Sequence, residues 1–124
     1  MICSDTSSFI AFLQGDKGHD VDLIAEALGR RFLKLAPVSV TELISYPALP
    51  VGMQDLVLRT PLLEITSGYW ERAGRTRALL IRHRYRPKIA ATLIAQSCLD
   101  HDVPLITRDQ DFQPFRKLAG LRLL

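Results

Sequence analysis

Residues 103–112 read Val-Pro-Leu-Ile-Thr-Arg-Asp-Gln-Asp-Phe. A short apolar run ends at a threonine, and an acid, Asp109, stands just before the next element. The run predicts a strand over Val103–Thr107, and the segment beyond it a helix over Gln110–Ala119. The chain opens with the same grammar. Met1–Ser4 predicts a short strand, Asp5 follows it, and Ser7–Leu13 has helical spacing. Between these ends, Gly15, Gly18 and Asp20 mark a loop before a helix over Val21–Arg31. Leu33–Pro37 predicts a brief strand leading into a helix over Ser39–Ser45, and Pro47, Pro50 and Gly52 break the chain. Leu62–Thr66 reads as a strand and Tyr69–Tyr85 as a long basic helix. Pro87 opens a helix that runs to His101, and Leu121–Leu124 supplies a last strand. Strands alternating with helices predict an α/β fold of three layers, with a mostly parallel central sheet flanked by helices.

Composition bounds the function. The chain has 124 residues, 48% of them hydrophobic and 23% charged, so a single domain over residues 1–124 is expected. High apolar content with a net charge of only +3 argues against disorder. No apolar run is long enough to span a bilayer. The first residues lack the basic flank and cleavage site of a signal peptide. Cys3 and Cys98 are too few for a disulfide framework or a four-ligand zinc site. They read as core residues of a cytoplasmic protein with no membrane partner. His19, His83 and His101 have no shared ligand spacing, and no Gly-rich phosphate loop or serine-hydrolase order occurs.

In a parallel sheet, ligands bind beyond the carboxyl ends of the strands. Asp5, Glu42 and Asp109 all fall there. Each has a plain structural reading. Asp5 and Asp109 precede helices and suit N-caps, worth about 1 kcal/mol each, and Ser39 with Glu42 has capping-box spacing. Together the three acids would repel one another at one sheet edge unless a cation held them. Hard divalent ions favour such oxygen donors and act on phosphate esters. A metal-dependent phosphatase, or a phosphoacceptor using Asp5, is compatible with the same acids.

The residues also resemble a known family. Cys3-Ser4-Asp5-Thr6-Ser7 is similar to the opening of PIN-domain nucleases, and Val40-Thr41-Glu42-Leu43 to their second acid motif. Leu93-Ile94-Ala95-Gln96, followed by the Thr107-Arg108-Asp109-Gln110-Asp111-Phe112 segment, resembles their closing motif. Order and spacing agree over nearly the whole chain, at the length of VapC toxins of VapBC toxin–antitoxin systems. The resemblance implies a PIN fold and an endoribonuclease dependent on Mg²⁺ (or Mn²⁺). It also implies a VapB-like antitoxin partner, an RNA substrate and a homodimer. Carried over by motif, Asp5, Glu42 and Asp109 are the metal-site acids. Thr6, Ser7 and Thr107 are hydroxyls that orient ligands or water, and Asp111 is an auxiliary acid or an exposed residue of a helix's first turn.

One position departs from the pattern. Where the family carries a further acid, three residues before the Ile of Leu-Ile-Ala, this chain has Ala91. Asp100 lies nine positions on, roughly 13 Å along a helix, and is no obvious replacement. Ala91 is read as a natural loss giving a pseudo-nuclease or as an engineered change sparing an expression host, the second being preferred. Either way cleavage is expected to be impaired. The alternative function is a non-catalytic module that binds antitoxin or RNA.

Seven of the 16 basic residues lie between Arg72 and Lys88, and no acid occurs between Glu71 and Asp100. Arg72, Arg75, Arg82 and Arg86 fall near one helical face and are candidates for RNA or antitoxin contact. Trp70, Ala73, Leu80 and Ile81 suit a buried face. A solvated helix surface is the plain alternative.

Overall fold

The computed structural model describes residues 1–124. In chain order it contains β1 (Ile2–Ser4), α1 (Thr6–Leu13), α2 (His19–Gly29), β2 (Leu33–Leu35) and α3 (Pro37–Ile44). There follow α4 (Met53–Arg59), α5 (Tyr69–Arg82), α6 (Ile89–His101), β3 (Leu105–Ile106), a 3-10 turn (Gln110–Phe112) and α7 (Gln113–Ala119). The sheet has the order β2-β1-β3 with both pairings parallel.

The pleat of the strands sorts side chains into two cores, one on each face, as a three-layer α/β fold requires. Cys3 is paired in register with Leu105, and both join Ala95, Cys98 and Phe115 from α6 and α7. The next register positions turn to the other face. There Leu35 and Ile106 pack with Phe9, Ile24 and Leu43 from α1, α2 and α3. Both cysteines are free and buried.

Two expected strands shrink to single bridges, Leu35 with Leu62 and Leu105 with Leu123. Pro37 opens α3 just past β2, so Leu62–Thr66 has no extended partner to follow beyond that point. The segment after Gly52, which carries no strong turn or strand signal, forms α4. Its Met53, Leu56 and Val57 recur at helical spacing and pack against the second core. The last helix is split, a 3-10 turn preceding α7, with Pro114 in the first turn of the latter.

The basic helix stops at Arg82 rather than Tyr85. Arg84 adopts φ 68, a left-handed conformation uncommon for a residue with a Cβ. The Arg84 and Tyr85 amides donate to the Ile81 and Leu80 carbonyls, so the chain turns Tyr85 against the first core. Arg86 therefore lies beyond α5, not on its face. The buried stripe of α5 is Tyr69, Ala73 and Leu80. Trp70 and Ile81 are 60% and 49% exposed, contrary to expectation, because each is one 100° step off that stripe.

A polar clamp joins α5 to α6. Arg72 donates to both oxygens of Asp100 at 2.9 and 2.7 Å, and Gln96 donates to the same carboxylate at 2.8 Å. Thr76 donates to Gln96 at 2.6 Å. Burial opposes the charge on Asp100, but the Arg72 and Gln96 bonds hold its carboxyl below the usual range. Asp100→Ala is expected to lower the thermal midpoint by several degrees. Arg72 also donates to the Ser67 carbonyl and the Thr66 hydroxyl. Adding Arg72→Ala should therefore cost more than Asp100→Ala alone but less than the sum of the two single losses, and a thermal scan of both single variants and the double checks this.

Candidate functional site

The strand order sets where a site can form. From β1 the chain goes to β2 on one side and later to β3 on the other, so the switch point lies between β1 and β3. The ladder is extended there by the Asp5 amide, which donates to the Ile106 carbonyl at 3.0 Å. Beyond this edge lies a cleft of about 240 Å³, lined by Asp5, Thr6, Glu42, Ala91, Asp109 and Asp111 among others. The sequence placed Asp5, Glu42 and Asp109 at one edge, and the cleft brings them together with Ala91.

Asp5 is 2% exposed and caps α1, its Oδ1 accepting from the Ser8 amide at 2.9 Å. Its Oδ2 accepts from the hydroxyls of Ser7 and Thr107. Thr107 in turn accepts from the Asp109 amide at 2.9 Å, which couples the end of β1 to the loop after β3. Burial pushes the Asp5 carboxyl up, more strongly than these bonds pull it down, and the nearby Asp109 adds to the rise. Buried and already holding three hydrogen bonds, Asp5 is poorly placed as a free phosphoacceptor.

Glu42 reaches the cleft because the expected capping box does not form. Pro37 starts α3 two residues before Ser39, and Ala36 occupies the N-cap. The Ser39 hydroxyl is buried without a partner, while Glu42 projects from mid-helix and accepts from Thr6 at 2.6 Å. Asp109 does cap, its Oδ1 accepting from the Asp111 amide at 2.9 Å. Asp111 lies at the rim, where its carboxylate pairs with Lys88 at 3.6 Å. Capping and cleft lining thus coexist in Asp5 and Asp109.

The donors in the cleft are carboxylate and hydroxyl oxygens, the chemistry that suits a hard divalent cation. Their present arrangement is not a closed cage. No group of three or more acidic, His or Cys side chains stands close enough to hold a metal ion. Asp5, Glu42 and Asp109 are instead each held by protein donors. The set fits an open site in which water supplies much of the coordination.

One support was not legible in the sequence. Arg108, between Thr107 and Asp109, donates to both oxygens of Asp20 at 2.7 and 3.1 Å, and Ser8 donates to the same carboxylate at 2.8 Å. The loop carrying Asp109 is thereby tied to the start of α2. Gly18 leaves room for the pair, since a Cβ there would sit 2.6 Å from Asp20 Oδ1. The Arg108 guanidinium holds the Asp20 carboxyl down at about 2. A lowered carboxyl stabilises the fold at pH values above its ordinary range, and that contribution disappears as pH falls from about 4 to about 2. Asp20→Asn should therefore flatten the acid side of the stability profile over that interval, as followed by circular dichroism.

Of the basic candidates, Arg72 is bound in the clamp with Asp100. Arg75, Arg82 and Arg86 are exposed. Lys88, counted in the sequence only as part of a basic run, proves to line the cleft. Of the histidines, His83 and His101 bond to the backbone carbonyls of Leu79 and Glu64. No helix is long and apolar enough to cross a membrane.

Comparison with solved structures places this geometry among known folds. VapBC2 from Rickettsia felis, bound to a promoter DNA fragment, is similar at a TM-score of 0.72 and 16% identity, covering 100% of this chain and 98% of that chain. FitAcB from Neisseria gonorrhoeae is similar at 0.71 and 17% identity, covering 100% and 96%. VapBC-5 from Mycobacterium tuberculosis, of the VapBC family of toxin–antitoxin systems, gives 0.59 and 20% over 74% and 80%. Comparison with curated protein sequences finds no match. The PIN domain family model matches residues 2–120, so nearly all of the chain is accounted for, the cleft acids included. This chain belongs to the PIN domain family.

Proposed function

We propose that the chain is a VapC-type toxin, a metal-dependent endoribonuclease by descent whose cleavage is impaired by Ala91. The carrying observation is the meeting of Asp5, Glu42 and Asp109 in one cleft with Ala91 facing it. In this reading Asp5, Glu42 and Asp109 hold Mg²⁺ or Mn²⁺ with water, and Thr6, Ser7 and Thr107 fix their carboxylates. The bound ion supplies an activated water and neutralises charge on the scissile phosphate. The chain's own part is orientation. Asp5 is fixed by hydrogen bonds from Ser7, Ser8 and Thr107, while Thr107 accepts from the Asp109 amide. The Arg108–Asp20 pair holds that loop in place.

The partners of the similar solved complexes support a VapB-like antitoxin as the partner here, while a homodimer as the toxin unit rests on the family resemblance alone. The test is Mn²⁺-dependent cleavage of an RNA pool by the purified chain and by Ala91→Asp. Gain of cleavage in the variant supports the reading. A failure to gain cleavage, with tight antitoxin binding retained, favours a non-catalytic PIN module. The absence of a ready three-acid cage is the observation on that side.

A further inference from the structure

The acid cleft has a neighbour. A second cavity, of about 440 Å³, is lined by Tyr85, Arg86, Pro87, Lys88, Gln110 and Asp111 among others. Lys88 and Asp111 line both, so the two hollows meet at that ion pair. The turn at Arg84 produces this arrangement. It brings Tyr85 against the core and buries Pro87, while Arg86 and Lys88 remain exposed on either side of it. Lys88 then caps α6 by its backbone alone, its ammonium lying 3.6 Å from Asp111 with 79% of the side chain exposed. Arg86 is exposed and forms no ion pair. Gln110 contributes a primary amide, which both donates and accepts.

We propose that Lys88 and Arg86 anchor the backbone of single-stranded RNA as it leaves the acid cleft, with the adjoining base received by the second cavity. Two cations flanking a buried proline suit successive phosphates, while the Gln110 amide and the Tyr85 ring suit a base. Asp111 is the internal competitor for Lys88. Phosphate binding must displace it, so its charge weakens RNA binding. This path rests on the nuclease reading for its direction out of the cleft, but binding along it requires no catalysis.

The experiment measures anisotropy of a short fluorescein-labelled single-stranded RNA with the full chain in EDTA, across a salt series. The double variant Arg86→Ala/Lys88→Ala should bind about tenfold more weakly at low salt. Its slope of log affinity against log salt should be shallower by about 1.4, the loss of two phosphate contacts. Asp111→Asn should bind about twofold tighter, whereas an auxiliary metal acid would leave binding in EDTA unchanged. Arg59→Ala, an exposed charge on α4 outside both cavities, should bind as the parent does.

An unchanged affinity and slope in the double variant would overturn the proposal. So would an equal loss in Arg59→Ala, which indicates a generic charge effect, or no measurable RNA binding by the parent. Loss of antitoxin binding alone, with RNA affinity intact, overturns it in favour of a protein contact. Cleavage by Ala91→Asp separates the two readings. If that variant does not cleave but the double variant still loses RNA, the nuclease reading fails and this one stands. If Ala91→Asp cleaves and adding the double substitution leaves its KM unchanged, this one fails alone.

Discussion

Ala91→Asp is expected to raise Mn²⁺-dependent RNA cleavage by at least about a hundredfold. Ala91 is 8% exposed, lines the cleft and is the third residue of α6. An acid there faces the same cavity as Asp5, Glu42 and Asp109, so it adds a carboxylate to a set that does not yet form a cage. The backbone tolerates it. Asp is a poorer helix former than Ala by roughly 0.6 kcal/mol, but in a first turn it gains from the helix dipole. The larger cost is repulsion from Asp5, whose buried carboxyl is already pushed up. Without metal the variant should therefore unfold at a lower temperature than the parent. With Mn²⁺ the order should reverse, because an ion that binds only the folded state stabilises it. The crossing of the two thermal midpoints is a readout independent of cleavage. If neither cleavage nor a Mn²⁺-dependent midpoint appears, the site assignment is wrong.

How much of this could be read from the chain depended on whether an element's signal is local. The strands β1 and β3 each end before an acid, and those acids identify the sheet edge without any tertiary information. Their N-cap role was also legible and holds for both Asp5 and Asp109. Glu42 was the ambiguous one. Its spacing from Ser39 suggested a cap, but Pro37 and Ala36 had already begun the helix. A proline at the first turn outweighs a capping box two residues further in, since both cannot set the same N-terminus. Leu62–Thr66 has a strand's composition but forms only one bridge, for a non-local reason, the end of β2 at Leu35. The end of the basic helix at Arg82 is hidden in the sequence because nothing in the composition of His83-Arg84-Tyr85 marks a left-handed turn. Arg84 adopts it without being Gly or Asn, the residues that advertise such a turn. That one turn moves Arg86 off the helix and creates the second cavity. Pairing between distant charges was equally hidden. Arg72 with Asp100 and Arg108 with Asp20 are separated by 28 and 88 positions, and no sequence period links them.

Asp5→Asn should abolish Mn²⁺ binding while stabilising the metal-free protein. Asp5 has two roles whose requirements differ. As an N-cap it needs only an acceptor for the Ser8 amide, and Asn serves as well as Asp. The Asn amide nitrogen can donate to the Ser7 and Thr107 hydroxyl oxygens, which now donate to Oδ2, so the polar network survives with its donors reversed. As a buried charge, by contrast, Asp5 opposes folding. Burial raises its carboxyl above the ordinary value, so the folded state binds the proton more readily than the unfolded chain does. The resulting penalty is complete above the folded pKa and vanishes below the unfolded one. At neutral pH the Asn variant escapes it, and its thermal midpoint should lie above the parent's. The gain should fade on acidification, as Asp5 in the parent takes up its proton. Asp5→Ala distinguishes this account from simple crowding relief. It removes the charge but strands the Ser8 amide and the two hydroxyls, and should cost about 1–3 kcal/mol. Calorimetric titration with Mn²⁺ and thermal scans over a pH series measure both roles. A destabilised Asp5→Asn at neutral pH, or one that still binds Mn²⁺ like the parent, would show that Asp5 is a cap and nothing more.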